Sequence, residues 1–531
     1  MIPSVLTTQV RKGIEEFLLT TFPVTTPLFA RSLPDLLETE GSVFRGPYLS
    51  LKLPFRAGEK GKGYFPGVLP EGFRPHRHQE RAFERLGGLE RLSTLLATGT
   101  GSGKTECFLY PVLDHCAREV GRPGVKAIVV YPMNALATDQ AKRFAKAIAA
   151  SPALKGKVTA GLYVGGIGRE KQTAMGPENV ITDREAMRSA PPDILLTNYK
   201  MLDYLLLRPD DARLWRENGP ETLRFLVVDE LHTFDGAQGA DLACLIRRLK
   251  ARLRTPERHL CCIGTSATLG EGPEGMNAEA LSGYASQLFA EPFGADAIVG
   301  ETVETTEEFL KGHLVTRFGV PGPERRAELD PLAYAGQEEY LAAQHRLWFE
   351  EELGEPSDAK ALYALAGRLK GHAFLRNLLV ILDGKARELR AVKEELARQV
   401  PGFAGADGET FDRLLGSFLA LVSAARVPGP GGEPRPFVQV RLQLWLRELS
   451  RLVAMVEIPP AGGSPRLAFA DDLSSDEAKR ALPVVHCREC GVTGWGAVSK
   501  GHEMRLPTPS GRSAAPRCRR VPRSRWTRCA K

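Results

Sequence analysis

An α/β fold built on a parallel sheet is what the sequence predicts, and three observations predict it. Five short apolar runs recur between residues 61 and 300: STLLA (93–97), KAIVVY (126–131), DILLT (193–197), RFLVVD (224–229) and HLCCIG (259–264). Each has strand length and is rich in leucine or β-branched side chains, and helix-length amphipathic segments separate them, which is the alternation of a parallel sheet with crossover helices. Each run is followed at its carboxyl end by a polar or glycine-rich cluster, and open α/β sheets bind ligands at that edge.

The first run leads into ATGTGSGKT, Ala97 to Thr105. Backbone N–H groups of Gly99, Thr100, Gly101, Ser102 and Gly103, with the N-terminus of the helix they open, are suited to cradle phosphate oxygens. Lys104 would neutralise β- and γ-phosphates, and the Thr105 hydroxyl would ligate Mg²⁺, so ATP and Mg²⁺ are the expected cofactors. Thr98 stands where the strict G-x-x-x-x-G-K-[ST] pattern has glycine. The fourth run ends in VVDELH, Val227 to His232. Asp229 is expected to hold Mg²⁺, in part through water, and Glu230 to orient and deprotonate the attacking water. In-line phosphoryl transfer needs mostly positioning and charge neutralisation, which these two carboxylates and Lys104 supply. TSAT (265–268) follows the fifth run, and its Ser266 and Thr268 hydroxyls are expected to bond the carboxylates and His232.

Taken in order, Gln79, ATGTGSGKT, YPMNALATDQ, LLTNYKML, DELH and TSAT resemble the superfamily-two DEAD/DEAH-box helicases over about residues 73–268. DELHTFDGAQGADLACLIRRL (229–249), FRGPYLSLKLPF (44–55) and LPVVHCRECG (482–491) look most like the RecQ-like, zinc-domain-bearing DNA helicases and the very large bacterial helicases related to them. The resemblance implies a RecA-like ATP-binding lobe in which Gln79 reads adenine. It also implies a track that grips one strand's phosphates, formed by YPMNALATDQ (131–140), YVGG (163–166) and LLTNYKML (195–202). Pro132, Asn134, Arg143, Gly165, Gly166, Thr197, Asn198 and the nearby Lys200 fall on that track. Contacts to phosphate carry no base preference, as a translocating motor requires. DNA is favoured over RNA as the partner. Helicases of this kind hold ATP between two RecA-like lobes, the second carrying an arginine in a Q-x-x-G-R-x-x-R-type motif. Residues 269–531 contain neither that motif nor a second series of strand-like runs. The expectation is therefore the N-terminal motor lobe, with a second lobe supplied by a downstream reading frame.

The rest of the chain is organised around that lobe. Residues 1–60 form an N-terminal helical module, with Val10, Ile14, Phe17 and Leu18 at helical spacing, and residues 61–300 form the ATP-binding lobe. Residues 301–485 read as mainly helical, as in ETFDRLLGSFLALVSAARV (409–427) and VRLQLWLRELSRLVAMV (440–456), with breaks at VPGPGGEPRP (427–436) and PPAGGSP (459–465). Residues 486–503 carry Cys487 and Cys490, a CxxC that is either half of a Zn²⁺ knuckle or an unpaired reduced pair, since a structural zinc site needs four ligands. The 504–531 tail holds eight Arg, one Lys and no acid. Nine of the positive charges behind the net +7 therefore lie in the tail, and residues 1–503 sum to −2. The tail reads either as out-of-frame sequence or as a basic nucleic-acid-binding arm.

Mean hydropathy of −0.20, with no run near 18 apolar residues and no signal-peptide pattern, argues against a membrane protein. Nine cysteines, mostly within apolar runs, suit the reduced core of a cytoplasmic protein. The function these readings favour is the ATP-binding lobe of a DNA-dependent ATPase or helicase. Two others stay open: an ATP-responsive nucleic-acid-binding module without hydrolysis, and an inactive fragment of a disrupted helicase gene.

Overall fold

The computed structural model describes residues 3–505 except 40, 61–62, 100, 167–170, 235, 267–277, 356–357, 401–407, 430–431, 460–461, 497 and 501–502. Thr100, Thr268 and tail residues 506–531 thus lie outside the described residues. The chain divides into two units, one of Leu53–Lys311 with Pro428–Arg435, the other of Met1–Lys52, Gly312–Val427 and Pro436–Lys531.

The first unit, here the parallel-sheet unit, is built on a seven-stranded sheet. Its strands are β1 (Thr94–Ala97), β2 (Ala127–Tyr131), β3 (Ala160–Tyr163), β4 (Ile194–Asn198), β5 (Phe225–Val228), β6 (Cys261–Ser266) and β7 (Ile298–Gly300). They lie in the order β3-β4-β2-β5-β6-β1-β7, and every neighbouring pair is parallel. Five of these strands are the apolar runs singled out in the sequence. The two that the sequence did not announce, β3 and β7, are the edges. An edge strand has one neighbour and needs only a short run, and three or four residues leave little periodicity to read.

Helices cover both faces, as a parallel sheet requires. They are α1 (Arg77–Gly87), α2 (Lys104–Arg118), α3 (Asn134–Ala150), α4 (Tyr199–Leu207), α5 (Gly236–Leu253) and α6 (Ala278–Phe289). Successive strand residues point to opposite faces, and β2 demonstrates it. Val129 and Tyr131 pack in one core with Phe83 of α1, Phe108 of α2 and Phe144 of α3. Ile128 and Val130 pack in the other with Leu202 of α4, Ile246 of α5 and Leu288 of α6. All ten are buried, and each such apolar side chain contributes roughly 1.5–3 kcal/mol by leaving water.

The second unit mixes helices with antiparallel strands. Its helices include Pro3–Thr21, Gln337–Phe349, Ala359–Lys370, Ala373–Leu382, Leu389–Gln399 and Gly408–Ala424. The helical reading of residues 440–456 was wrong: they form strands Gln439–Leu446 and Leu452–Met455. Leu442, Leu446 and Leu449 fit a helical stripe, but Val440, Leu442, Leu444 and Leu446 equally fit a period of two. The choice is made by a distant partner, strand Phe44–Lys52, which pairs antiparallel with Gln439–Leu446. Strand Leu452–Met455 joins a four-stranded antiparallel sheet with Leu467–Phe469, Ala481–His486 and Thr493–Trp495. Among the described residues, the seven-stranded sheet is the only parallel one with more than two strands. No helix is long and apolar enough to cross a membrane among them.

Candidate functional site

The carboxyl ends of β1 and β5 open on one cavity of about 760 Å³ in the parallel-sheet unit. The turn after β1 opens α2, and its left-handed positions are Gly101 and Gly103, at φ +80° and +76°. Gly103 is also fixed by space, because a Cβ there would lie 2.3 Å from Gln79 Nε2. Thr98, in place of the pattern's glycine, is buried, and its hydroxyl accepts a hydrogen bond from Ser102 Oγ at 2.9 Å. Ser102 Oγ shares its one proton between Thr98 Oγ1 and the Gly99 carbonyl, the latter at 2.8 Å, and the Gly99 N–H donates to the Glu301 carboxylate at 3.0 Å. The turn is thus tied from inside, and its open face is left to the cavity. A left-handed, glycine-dependent turn at a helix N-terminus fits a polyphosphate.

Lys104 and the two acids of VVDELH meet across this turn. Lys104 Nζ donates to Glu230 Oε1 at 2.9 Å. Asp229 is buried, and burial holds its carboxyl above the usual range, opposed by a hydrogen bond from Thr265 and by the Lys104 charge. Glu230 sits in the left-handed region at φ +50°, and its N–H donates to Thr265 Oγ1 at 3.2 Å. Its second oxygen, Oε2, has no hydrogen-bond partner and lies 3.4 Å from His232 Nδ1. A strained acidic residue with an unsatisfied oxygen beside a phosphate-shaped cradle is poised for chemistry rather than for packing.

The hydroxyls of the loop after β6 divide differently from the sequence expectation. Thr265, not Ser266, donates to Asp229 Oδ1 and accepts from the Glu230 backbone. Ser266 bonds His232 Nδ1 at 3.1 Å. Adjacent strand residues face opposite ways, so one hydroxyl cannot serve both partners.

Gln79 lies in the first turn of α1, buried. Its Oε1 accepts from the His76 N–H at 2.9 Å, and its Nε2 donates to the Gly103 carbonyl at 3.1 Å. Gln79 therefore couples the start of α1 to the phosphate turn.

The residues assigned to a nucleic-acid track separate into three groups. Asn134, Gly165 and Asn198 join: Asn134 Nδ2 donates to the Gly165 carbonyl at 2.9 Å, and Asn198 Nδ2 to Asn134 Oδ1 at 2.6 Å. Pro132 precedes Asn134 at half-buried depth, and Gly166 follows Gly165 with φ +73°. Thr197 is buried, and its hydroxyl donates to the Tyr163 carbonyl at 2.7 Å, so it ties β4 to β3 and has no proton to offer a phosphate. Arg143 turns to the cavity at the glycine turn instead. Its Nη1 donates to Thr105 Oγ1 at 3.2 Å, and its Nη2 reaches Glu106 at 2.5 Å. Helical spacing explains the move: α3 runs away from the sheet edge, and Arg143 lies more than two turns past Asn134.

The sequence reading also missed Thr265, Gln140, Glu301 and Arg435, which bond the motif residues or line the cavity. Thr265 lies inside TSAT and could have been found from its place at a strand end. Gln140 likewise closes the YPMNALATDQ motif, whereas Glu301 and Arg435 carry no local signal.

Cys487 and Cys490 in the second unit form a tight turn closed by Cys487 N–H to Val492 O and Gly491 N–H to Cys487 O, at 2.9 and 2.8 Å. Backbone N–H bonding at Cys490 draws the Cys487 thiol below its usual range. Among the described residues, no group of three or more His, Cys, Asp or Glu could hold a metal. These donors alone do not make a four-ligand zinc site.

Residues 76–275 match the DEAD/DEAH box helicase family. Over 517 residues the chain is 26% identical to Druantia protein DruE of Escherichia coli (strain UMEA 4076-1), covering 77% of this chain and 27% of that protein. Over 199 residues it is 29% identical to the uncharacterized ATP-dependent helicase MJ1574 of Methanocaldococcus jannaschii, covering 37% of this chain and 26% of the relative. The crystal structure of the DUF1998 helicase MrfA bound to DNA aligns at 25% identity and a TM-score of 0.35, over 50% of this chain and 31% of that one. The chain thus spans about a quarter of the length of these two curated relatives.

Proposed function

We propose that the parallel-sheet unit, whose residues 76–275 match the DEAD/DEAH box helicase family, is the ATP-binding lobe of a nucleic-acid-dependent ATPase acting on DNA. The observation that carries this reading is the meeting of Lys104, Glu230, Asp229 and Thr265 at one glycine-bound turn. Lys104 would receive the β- and γ-phosphates, and the turn's N–H groups would hold them. Thr105 and Asp229 would hold Mg²⁺, which when bound supplies charge neutralisation on the transferring phosphoryl group. Glu230, released by Lys104, would take the proton of the attacking water through its unpaired oxygen. Ser266 and His232 would carry the state of the acidic pair to the strand edge.

The nucleic-acid surface in this reading is the cluster of Asn134, Gly165, Gly166 and Asn198, with Pro132 at its margin. Preference for DNA rests on the likeness of residues 229–249 to RecQ-like DNA helicases. Zinc has support only from the Cys487–Cys490 turn, which offers two of four ligands.

Steady-state ATP hydrolysis by the purified chain, with and without single-stranded DNA, tests the proposal. Stimulation by DNA that disappears in Lys104→Ala is the expected result. Nucleotide binding without any hydrolysis would favour the non-hydrolysing, ATP-responsive module, and ATP binding unaffected by Lys104→Ala would overturn the phosphate assignment.

A further inference from the structure

The cavity that holds the phosphate turn has one lining residue from far outside the matched core. Arg435 lies 331 residues after Lys104 in the sequence, on the strand Pro434–Pro436, which pairs with Arg426–Pro428. The segment Pro428–Arg435 belongs to the parallel-sheet unit although the chain around it does not. Arg435 shares the cavity with Gln79, Lys104 and Thr105.

His76 and Gln79, at the start of α1, line the same cavity as Arg435. His76 is the residue before α1, whose N–H is capped by Gln79. The Arg435 charge is felt there: the His76 imidazole is held well below its usual range, at about 4, by burial first, then by His78 and by Arg435. This is the Gln79 end of the cavity.

The guanidinium is also held in a defined plane. Its Nε and an Nη contact one oxygen of Glu433 at 2.8 and 2.7 Å, two residues earlier on the same segment. Gly429 admits this pair, because a Cβ there would fall 2.3 Å from Glu433 Oε1 and 2.7 Å from Arg435 Nε. About half of the Arg435 side chain stays exposed. A planar cation fixed along one edge presents a flat face, and flat guanidinium faces stack on aromatic rings. An ion pair of this kind on a solvated segment has little worth for stability, so its geometry calls for another use.

We propose that Arg435 is a nucleotide-binding residue that stacks on the purine base of ATP at the Gln79 end of the cavity. The proposal rests on the ATP-site reading above and adds a base contact from a segment outside residues 76–275. It makes the ligand class a purine nucleotide and assigns Arg435 no part in phosphoryl transfer.

The test uses the full chain and compares affinities for ATP, ADP, AMP and inorganic tripolyphosphate by calorimetry. Arg435→Ala should weaken all three adenine nucleotides by a similar factor, roughly 5- to 20-fold for one cation–π contact, and leave tripolyphosphate unchanged. Arg435→Lys should restore little, because lysine keeps the charge and loses the plane. Equal loss for tripolyphosphate, full rescue by Arg435→Lys, or unchanged affinity in Arg435→Ala would each overturn the proposal. Lys104→Ala is measured in parallel. If it abolishes ATP binding while Arg435→Ala is silent, the base contact fails and the ATP site stands; if ATP binding survives Lys104→Ala, the site reading itself fails.

Discussion

Glu230 holds the Lys104 ammonium at 2.9 Å, so a phosphate arriving at Lys104 competes with a carboxylate for its three N–H donors. Glu230→Gln weakens that competition and removes the base. The expected outcome is ATP affinity equal to or tighter than wild type, with hydrolysis reduced by about 10²–10⁴-fold, the usual worth of a general base; equilibrium binding and phosphate release measure the two separately. Loss of binding in this variant would make Glu230 a structural residue. His115 makes a different residue-scale prediction. It is buried in α2 against Phe225, and neither ring nitrogen has a hydrogen-bond partner. Burial, reinforced by Arg91 and Arg224, lowers its pKa to about 3. The unfolded chain takes up this proton near pH 6.5, whereas the folded chain does so only near pH 3. Stability is therefore present above pH 6.5 and falls as the pH drops below it, by about 1.4 kcal/mol per pH unit from this group. His115→Phe should flatten that part of the profile, as read by urea unfolding at pH 7 and pH 5, and an unchanged slope would show that the imidazole is protonated where it lies.

At the scale of elements, the phosphate turn is the most constrained. Gly103→Ala would strain a left-handed position and drive a Cβ into Gln79, so nucleotide affinity should fall at least 10-fold while the melting temperature changes by only a few degrees, because the strain is confined to one turn. The same elements explain what the sequence made legible. β1, β2, β4, β5 and β6 are central, buried on both faces, and announce themselves as continuous apolar runs with a motif at each end. β3 and β7 are short edges, and Gln439–Leu446 takes its strand form from Phe44–Lys52, a partner some 390 residues away in sequence; no local window contains that information. The site divides along the same line. Lys104, Asp229 and Glu230 lie in contiguous motifs at the ends of β1 and β5, and Lys104 pairs with Glu230 at 2.9 Å. Arg143 turns to Thr105 and Glu106, and Arg435 was unseen, because their neighbours are set by helix direction and by a remote segment.

At the scale of the molecule, the described residues contain one sheet of the kind that carries a phosphate turn. A motor that unwinds duplexes needs a second lobe to close on ATP, and an arginine supplied at the γ-phosphate is worth roughly 10³–10⁵ in rate. The chain alone is therefore expected to bind ATP, to turn it over slowly and to give no strand displacement; ATP-dependent unwinding by the purified chain would refute this. The charge distribution makes a second prediction. Deleting residues 504–531 removes nine cationic side chains and no acidic ones. Affinity for single-stranded DNA should fall and its dependence on salt should become shallower, while ATP affinity stays the same. Equal salt slopes for the two forms would place the phosphate contacts entirely in the folded body.

The discontinuity of the second unit bears on how the chain is made. A ribosome that has reached residue 311 has already delivered every strand of the parallel sheet, so the parallel-sheet unit can assemble all but its Pro428–Arg435 segment early. Strand Phe44–Lys52 cannot do the same, because Gln439–Leu446 is synthesised about 390 residues later. At about 5–20 residues per second, this is a delay of roughly 20–80 s. During it, Leu49 and Leu51, buried in the finished protein, sit on a strand without its main partner, the condition under which chains associate with one another. The nascent chain thus passes through a long stage with its middle folded and its two ends waiting, and chaperone capture in that interval should map to residues 44–52.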